Sequence, residues 1–177
     1  GLNFESIGEK FNLAPIDAAL ELMFLDNARL RILFFYRTEG DMKSFLTHPL
    51  GMLGSDGLAI VNEGILGKGK PHPRSYGAHT RVLEKYVRDE NLLSIENAIF
   101  KMSGQIASRL GFKNRGLIQN NYWADICIFT FDNIHENASY DDPHQYSDGM
   151  DYVLVNGELI LDHGIPTGTL PGKILSA

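Results

Sequence analysis

His48-Pro49-Leu50-Gly51-Met52-Leu53-Gly54-Ser55-Asp56-Gly57 decides how the rest of the chain is read. An apolar run bounded by Pro and Gly has the signature of a short parallel strand covered on both faces. In barrels and open α/β sheets, reacting groups sit just past the C-terminal ends of such strands, and Asp56 stands in that place. Gly54 and Gly57 remove side-chain bulk on either side, so a ligand or metal could approach the carboxylate closely. Ser-Asp-Gly is also an ordinary turn, with Asp capping the next segment and Gly supplying positive φ. From this stretch alone both readings stand.

Upstream, the chain alternates. Residues 1 to 12 are only weakly amphipathic. Pro15 then opens a helix in which Ile16, Ala19, Leu20, Met23 and Phe24 recur at helical spacing, and Asp26-Asn27 ends it. The run Arg31 to Tyr36 is too short for a helix and reads as a doubly covered strand. Thr38 with Asp41 resembles a helix start, and Met42, Phe45 and Leu46 give that helix its buried face. Helix, strand, helix, strand predicts consecutive α/β units of a parallel sheet or barrel over the first 57 residues.

Downstream, residues 57 to 80 read as a loop, long enough to expect a function. It carries His72-Pro73-Arg74-Ser75-Tyr76-Gly77, in which prolines on both sides stiffen His72. Arg74 has the fork geometry that grips a planar carboxylate, although a surface ion pair is an equal reading. Three helices follow: Arg81 to Asp89 with Val82, Leu83, Tyr86 and Val87 on one face, Ile95 to Met102 capped by Ser94, and one from Ser103 to Gly111. Beyond about residue 112 the character becomes β. Asn120-Asn121 is a turn, Ile126 to Phe131 a strand, and residues 132 to 150 a polar loop with Tyr140, Pro143, His144 and Tyr146. Tyr152 to Leu161 is a hairpin closed by Asn156-Gly157. The resulting division is 1–112 and 113–177.

The 177 residues carry a net charge of −6, with no arginine-rich stripe, which argues against nucleic acid as a partner. No apolar run approaches the length of a membrane span, and one cysteine, Cys127 between two isoleucines, reads as a buried hydrophobe in a cytoplasmic protein. His48, His72, His79, His135, His144 and His163 show no His-x-His spacing, and no zinc-protease, phosphate-loop or nucleophile-elbow motif is present.

Taken together, His48 to Gly57, His72-Pro73-Arg74-Ser75-Tyr76-Gly77 followed by Arg81-Val82-Leu83, Arg115-Gly116-Leu117-Ile118 through Ala124-Asp125-Ile126, and Val155-Asn156-Gly157 resemble the C-terminal part of a D-aminoacylase. That is the N-acyl-D-amino-acid deacylase branch of the amidohydrolase superfamily. Ala-Asp-Ile and Val-Asn-Gly are shared widely among amidohydrolases, whereas Gly-Ser-Asp-Gly followed by His-Pro-Arg-Ser-Tyr-Gly is far more specific. The resemblance implies the last βα units of a metal-dependent (β/α)8 barrel and the C-terminal strands of a small β-sandwich. It implies zinc as cofactor and a small N-acyl amino acid as substrate. Asp56 matches the aspartate that binds or faces the metal and moves the proton from attacking water to leaving amine. Arg74 matches the arginine that clamps the substrate's free carboxylate, with His72 and Tyr76 supporting it.

Two departures accompany the match. The family's His-x-His pair, its further ligands and most of a barrel of about 250 residues lie outside this sequence. Asn121 stands where the family turn usually has Gly. The expectation is a fragment, inactive alone, completed by the N-terminal part of the barrel or by copies of itself. A dihydroorotase- or hydantoinase-type cyclic-amide hydrolase and a non-catalytic amidohydrolase-like module are the alternatives; a ring substrate would need no arginine clamp.

Overall fold

The protein, seen in a computed structural model, is described over residues 2–175, and divides into two compact units, one ending at Tyr36 and one beginning at Arg37. In the first unit, α1 (Phe4–Phe11) is bracketed by asparagines. Asn3 accepts a hydrogen bond from the Ser6 N–H at 2.8 Å, and Asn12 closes the helix in the left-handed region with φ 53°. Those caps define a helix that weak amphipathicity alone did not reveal. α2 (Pro15–Leu25) starts at its proline and ends at Asp26 as expected.

The expected strand over 31–36 is absent: among the described residues, 28–36 carry no strand, and Phe34, Phe35 and Tyr36 are each more than 70% exposed. A parallel strand exists only through pairing, because its backbone groups need neighbours on both edges.

The second unit begins with α3 (Glu39–Thr47), whose start is a complete capping box between Thr38 and Asp41. The strand expected at Gly51–Leu53 is absent too. Its backbone is satisfied by α5 (Ile95–Met102) instead. The Leu53 N–H bonds to the Lys101 carbonyl at 3.1 Å, and Lys101 Nζ donates to the carbonyls of His48 and Gly51 at 2.6 and 2.9 Å. The regular elements of the described residues are helices and one antiparallel sheet.

The supposed loop to residue 80 is shorter than expected, since α4 (Arg74–Arg81) starts directly after Pro73 and continues into a π-helical turn, Val82–Asp89. α6 (Gly104–Leu110) stops at Gly111, φ 74°. The sheet runs β1 (Ile126–Phe129), β2 (Met150–Val155), β3 (Glu158–Asp162) and β4 (Ile165–Pro166), each antiparallel to the next. Asn156 at φ 52° and Gly157 at φ 86° make the two-residue turn that Asn-Gly predicts. Asn121 tolerates φ 66° where a glycine would be usual. Cys127 is exposed rather than buried.

Leu46, Val82, Leu83, Tyr86, Val87, Ala98 and Ile134 form the buried core, with Phe129, Phe131 and Met150 of the β region packed on it. The sequence change near residue 112 thus falls inside one packed unit. No helix among the described residues is long and apolar enough to cross a membrane.

Candidate functional site

Asp56 is delivered by a segment pressed tightly onto its surroundings. A Cβ at Gly51 would lie 2.2 Å from the Phe45 carbonyl oxygen, so no other residue fits there without moving backbone. Lys101 is only 7% exposed and ties His48 and Gly51 together, while Gln105 Nε2 donates to the Pro49 carbonyl at 2.8 Å. The sequence alone does not single out Lys101. The available signal was its position three residues after Ala98, on the same buried face of α5.

At the turn itself, Asp56 rather than a glycine takes the left-handed conformation, φ 47°. Asp tolerates this region better than most residues, at a cost of about 1 kcal/mol. Gly57 has a different purpose: a Cβ there would stand 3.0 Å from Ser75 Cα and 3.1 Å from the Arg74 carbonyl. Its missing side chain lets the turn lie against the start of α4, not against a ligand. The Leu58 N–H then bonds Ser75 Oγ at 3.2 Å. Around Gly54, by contrast, a Cβ would meet open space.

This close approach brings Asp56 and Arg74 together. Arg74 Nε donates to the Asp56 carbonyl at 3.0 Å, and Nη2 lies 2.8 Å from Asp56 Oδ2. The side-on edge of the guanidinium therefore grips one residue twice. Both groups stay accessible, at 43% and 83% side-chain exposure. At such exposure the pair contributes orientation more than stability.

His72 and Tyr76 flank Arg74 and are turned toward the protein. His72 Nδ1 accepts from the Arg74 N–H at 3.1 Å, in the manner of a helix cap, and Nε2 meets Tyr140 Oη at 3.2 Å. Burial, then the neighbouring Arg74 charge, lower the His72 pKa. Tyr76 Oη bonds His144 Nδ1 at 2.9 Å, and burial with the nearby Tyr146 raises the phenol's pKa. Tyr140 and His144 were noted in the sequence only as members of a polar loop. Nothing in linear spacing ties them to Arg74, some seventy residues earlier in the chain.

The residues present do not by themselves fit a metal ion. Among the described residues no three His, Cys, Asp or Glu side chains converge, and the neighbours of Asp56 are an arginine and backbone. What the arrangement offers is an exposed, oriented carboxylate beside a fixed guanidinium.

Comparison with known proteins places the chain in a family. The model of the amidohydrolase family matches residues 35–161. The N-acyl-D-aspartate deacylase of Alcaligenes xylosoxydans xylosoxydans is 36% identical over 144 residues, and the D-aminoacylase of the same organism 33%. Each alignment covers 81% of this chain, and the chain spans only 28% of each relative. A D-aminoacylase crystal structure superposes with a TM-score of 0.82 at 29% identity, covering 98% of this chain and 34% of that one. The N-acyl-D-glutamate deacylase of Bordetella bronchiseptica, solved with zinc and a phosphonate mimic of the tetrahedral intermediate, gives 0.84 at 33% identity over 98% and 34%. The chain belongs to the amidohydrolase family, and its similarity within that family is to the D-aminoacylases.

Proposed function

We propose that this chain is the part of a metal-dependent N-acyl-D-amino-acid deacylase that carries its general base, Asp56, and its substrate clamp, Arg74. One observation carries the reading. Arg74 holds Asp56 by its Nε/Nη2 edge, which leaves the Nη1/Nη2 edge directed to another planar anion. An N-acyl amino acid offers such an anion in its free α-carboxylate, whereas a cyclic amide need not. The same residue that grips the substrate thereby fixes the carboxylate beside the reacting bond.

Asp56 Oδ2 is held by Arg74, so Oδ1 is the oxygen that works. It accepts a proton from the water that attacks the amide carbon. It then returns that proton to the nitrogen as the C–N bond breaks, giving a carboxylate and a free D-amino acid. His72 caps the backbone of Arg74 and Tyr76 anchors the same first turn of α4, so both support the clamp. The reading also assigns Asp56 to face the metal, zinc in this proposal. It assigns the other ligands to sequence that the longer relatives have and this chain does not span. Residues 1–112 then correspond to the last units of the (β/α)8 barrel, and 113–177 to part of its β-sandwich. The purified chain is expected to be inactive and to retain no stoichiometric zinc by plasma mass spectrometry. Tightly bound zinc would instead locate ligands within it or between copies.

The test is hydrolysis of N-acetyl-D-aspartate, N-acetyl-D-glutamate and their L forms by the full-length protein carrying this chain. Asp56→Asn is expected to lower kcat about 10³-fold, the range for a lost general base. Arg74→Met should lower kcat for acids and α-carboxamides alike by releasing Asp56, and raise KM only for the acids. Zinc-loaded full-length protein that leaves every N-acyl-D-amino acid intact would favour the non-catalytic module.

A further inference from the structure

We infer that the turn Tyr140–His144 is a clamp that positions Arg74. The inference rests on the reading of Arg74 as the substrate's carboxylate grip, and adds residues that neither Asp56 nor the His72–Gly77 segment supplies.

Four contacts from this short turn converge on the residues around Arg74. Tyr140 Oη meets His72 Nε2 at 3.2 Å, with the two rings edge to face at 5.1 Å. The Asp141 carbonyl accepts from Lys70 Nζ at 2.6 Å. His144 reaches two partners at once: Tyr76 Oη on α4 and the Gly69 carbonyl, each at 2.9 Å. Residues 69, 70, 72 and 76 are thus all held by one turn, on both sides of Arg74 in sequence.

The acceptors fix the tautomers. A carbonyl only accepts, so neutral His144 carries its proton on Nε2, donates to Gly69, and receives the Tyr76 hydroxyl proton at Nδ1. His72 accepts the Arg74 N–H at Nδ1, so its own proton is on Nε2 and points to Tyr140. Each histidine accepts through one ring nitrogen and donates through the other, so a side chain at 72 or 144 that can only donate or only accept would lose one of its bonds.

The turn is itself stiff enough to act as a support. Pro143 is fully buried, the Ser139 N–H bonds the Asp142 carbonyl at 3.1 Å, and Gln145 Nε2 ties Asp142 Oδ2 at 2.8 Å. The chain on either side of the turn is docked onto α4 at further points. Thr80 Oγ1 lies 2.6 Å from Ser147 Oγ, and Arg81 pairs with Glu136 at 2.7 Å. Gly77 admits the Glu136 side chain so closely that a Cβ there would lie 2.5 Å from Glu136 Cγ. Arg74 is therefore anchored to a rigid surface although its own guanidinium is accessible. That combination suits a residue which must meet a substrate without searching for it.

The experiment follows the Arg74 Nε–H resonance of the ¹⁵N-labelled chain, assigned by its loss in Arg74→Lys. In the native chain its bond to the Asp56 carbonyl slows exchange with water. His144→Phe keeps a ring and deletes both hydrogen bonds. It is expected to speed exchange at Nε–H about tenfold, with amide protection at Leu83 and Ile134 unchanged. Tyr76→Phe and Tyr140→Phe each delete one hydroxyl, should act in the same direction with smaller effect, and carry the test if His144→Phe does not fold. An Arg74 signal unmoved in the folded variants overturns the clamp. In the full-length protein, His144→Phe is expected to raise KM for N-acetyl-D-glutamate and to lower kcat less than Arg74→Met does. Absence of any hydrolysis by the unmutated full-length protein would overturn the function proposed above and leave the resonance test of the clamp intact.

Discussion

Two apolar runs of similar length meet different fates. Arg31–Tyr36 forms no strand, whereas Met150–Val155 pairs on both edges, with β1 and β3. Residue type does not separate them, since both are rich in large apolar side chains. The second run brings its partner with it: Asn156-Gly157 reverses the chain after two residues and lays Glu158–Asp162 alongside. The first depends on partners remote in sequence. Gly51–Leu53 is intermediate, because its partner is the side chain and carbonyl of Lys101 rather than another strand. Strand character is thus a property of pairs, and local support differs from borrowed support in what breaks it.

The largest test of that contrast is Lys101→Ala. Truncation removes the donor from two carbonyls in a buried setting and is expected to destabilise the chain by about 2–4 kcal/mol, read from the midpoint of urea unfolding. It should also loosen the amides from Leu53 to Asp56 in hydrogen exchange. A loss near zero would show that the His48–Leu53 segment holds without borrowed bonds. Gly157→Val attacks the local kind of support at φ 86°. It is expected to cost about 1–2 kcal/mol, with its effect concentrated in the amides of β2 and β3 and the Arg74 site undisturbed.

The same division explains what was legible in the sequence. The capping box at Thr38, the proline start of α2, Ser94, Gly111 and the Asn-Gly hairpin all signal through neighbours a few residues away, and each formed. Asp56 and Arg74 stand out in the sequence as candidates because their segments carry family-like motifs; their distance from one another does not. The start of α4 at Arg74 went unread because Pro-x-Pro suggested a stiff loop, whereas Pro73 instead occupies the position before a first turn. Tyr140, His144 and Lys101 act across 48 to 75 residues of chain, and a single sequence carries no periodic signal at that range.

The smallest effect concerns His72, where remote support can be read through pH. Its Nδ1 accepts the Arg74 N–H only while neutral, and burial together with the Arg74 charge hold its pKa below the ordinary 6.5, against the weaker opposite pull of Asp56 and Glu136. Tyr140 Oη also meets the ring, at Nε2. Between the folded pKa and 6.5 the unfolded chain binds more protons than the folded one, so stability must rise with pH in that window. The stabilisation from keeping His72 neutral is complete above 6.5, declines as pH falls, and is gone below the folded pKa. His72→Gln cannot titrate, and the difference in unfolding midpoint between chain and variant cancels every other group. That difference is expected to shrink from pH 7.5 to pH 5.5. A difference that grows instead would mean that His72 is charged in the folded chain, and the tautomer relay through Tyr140 would have to be reversed.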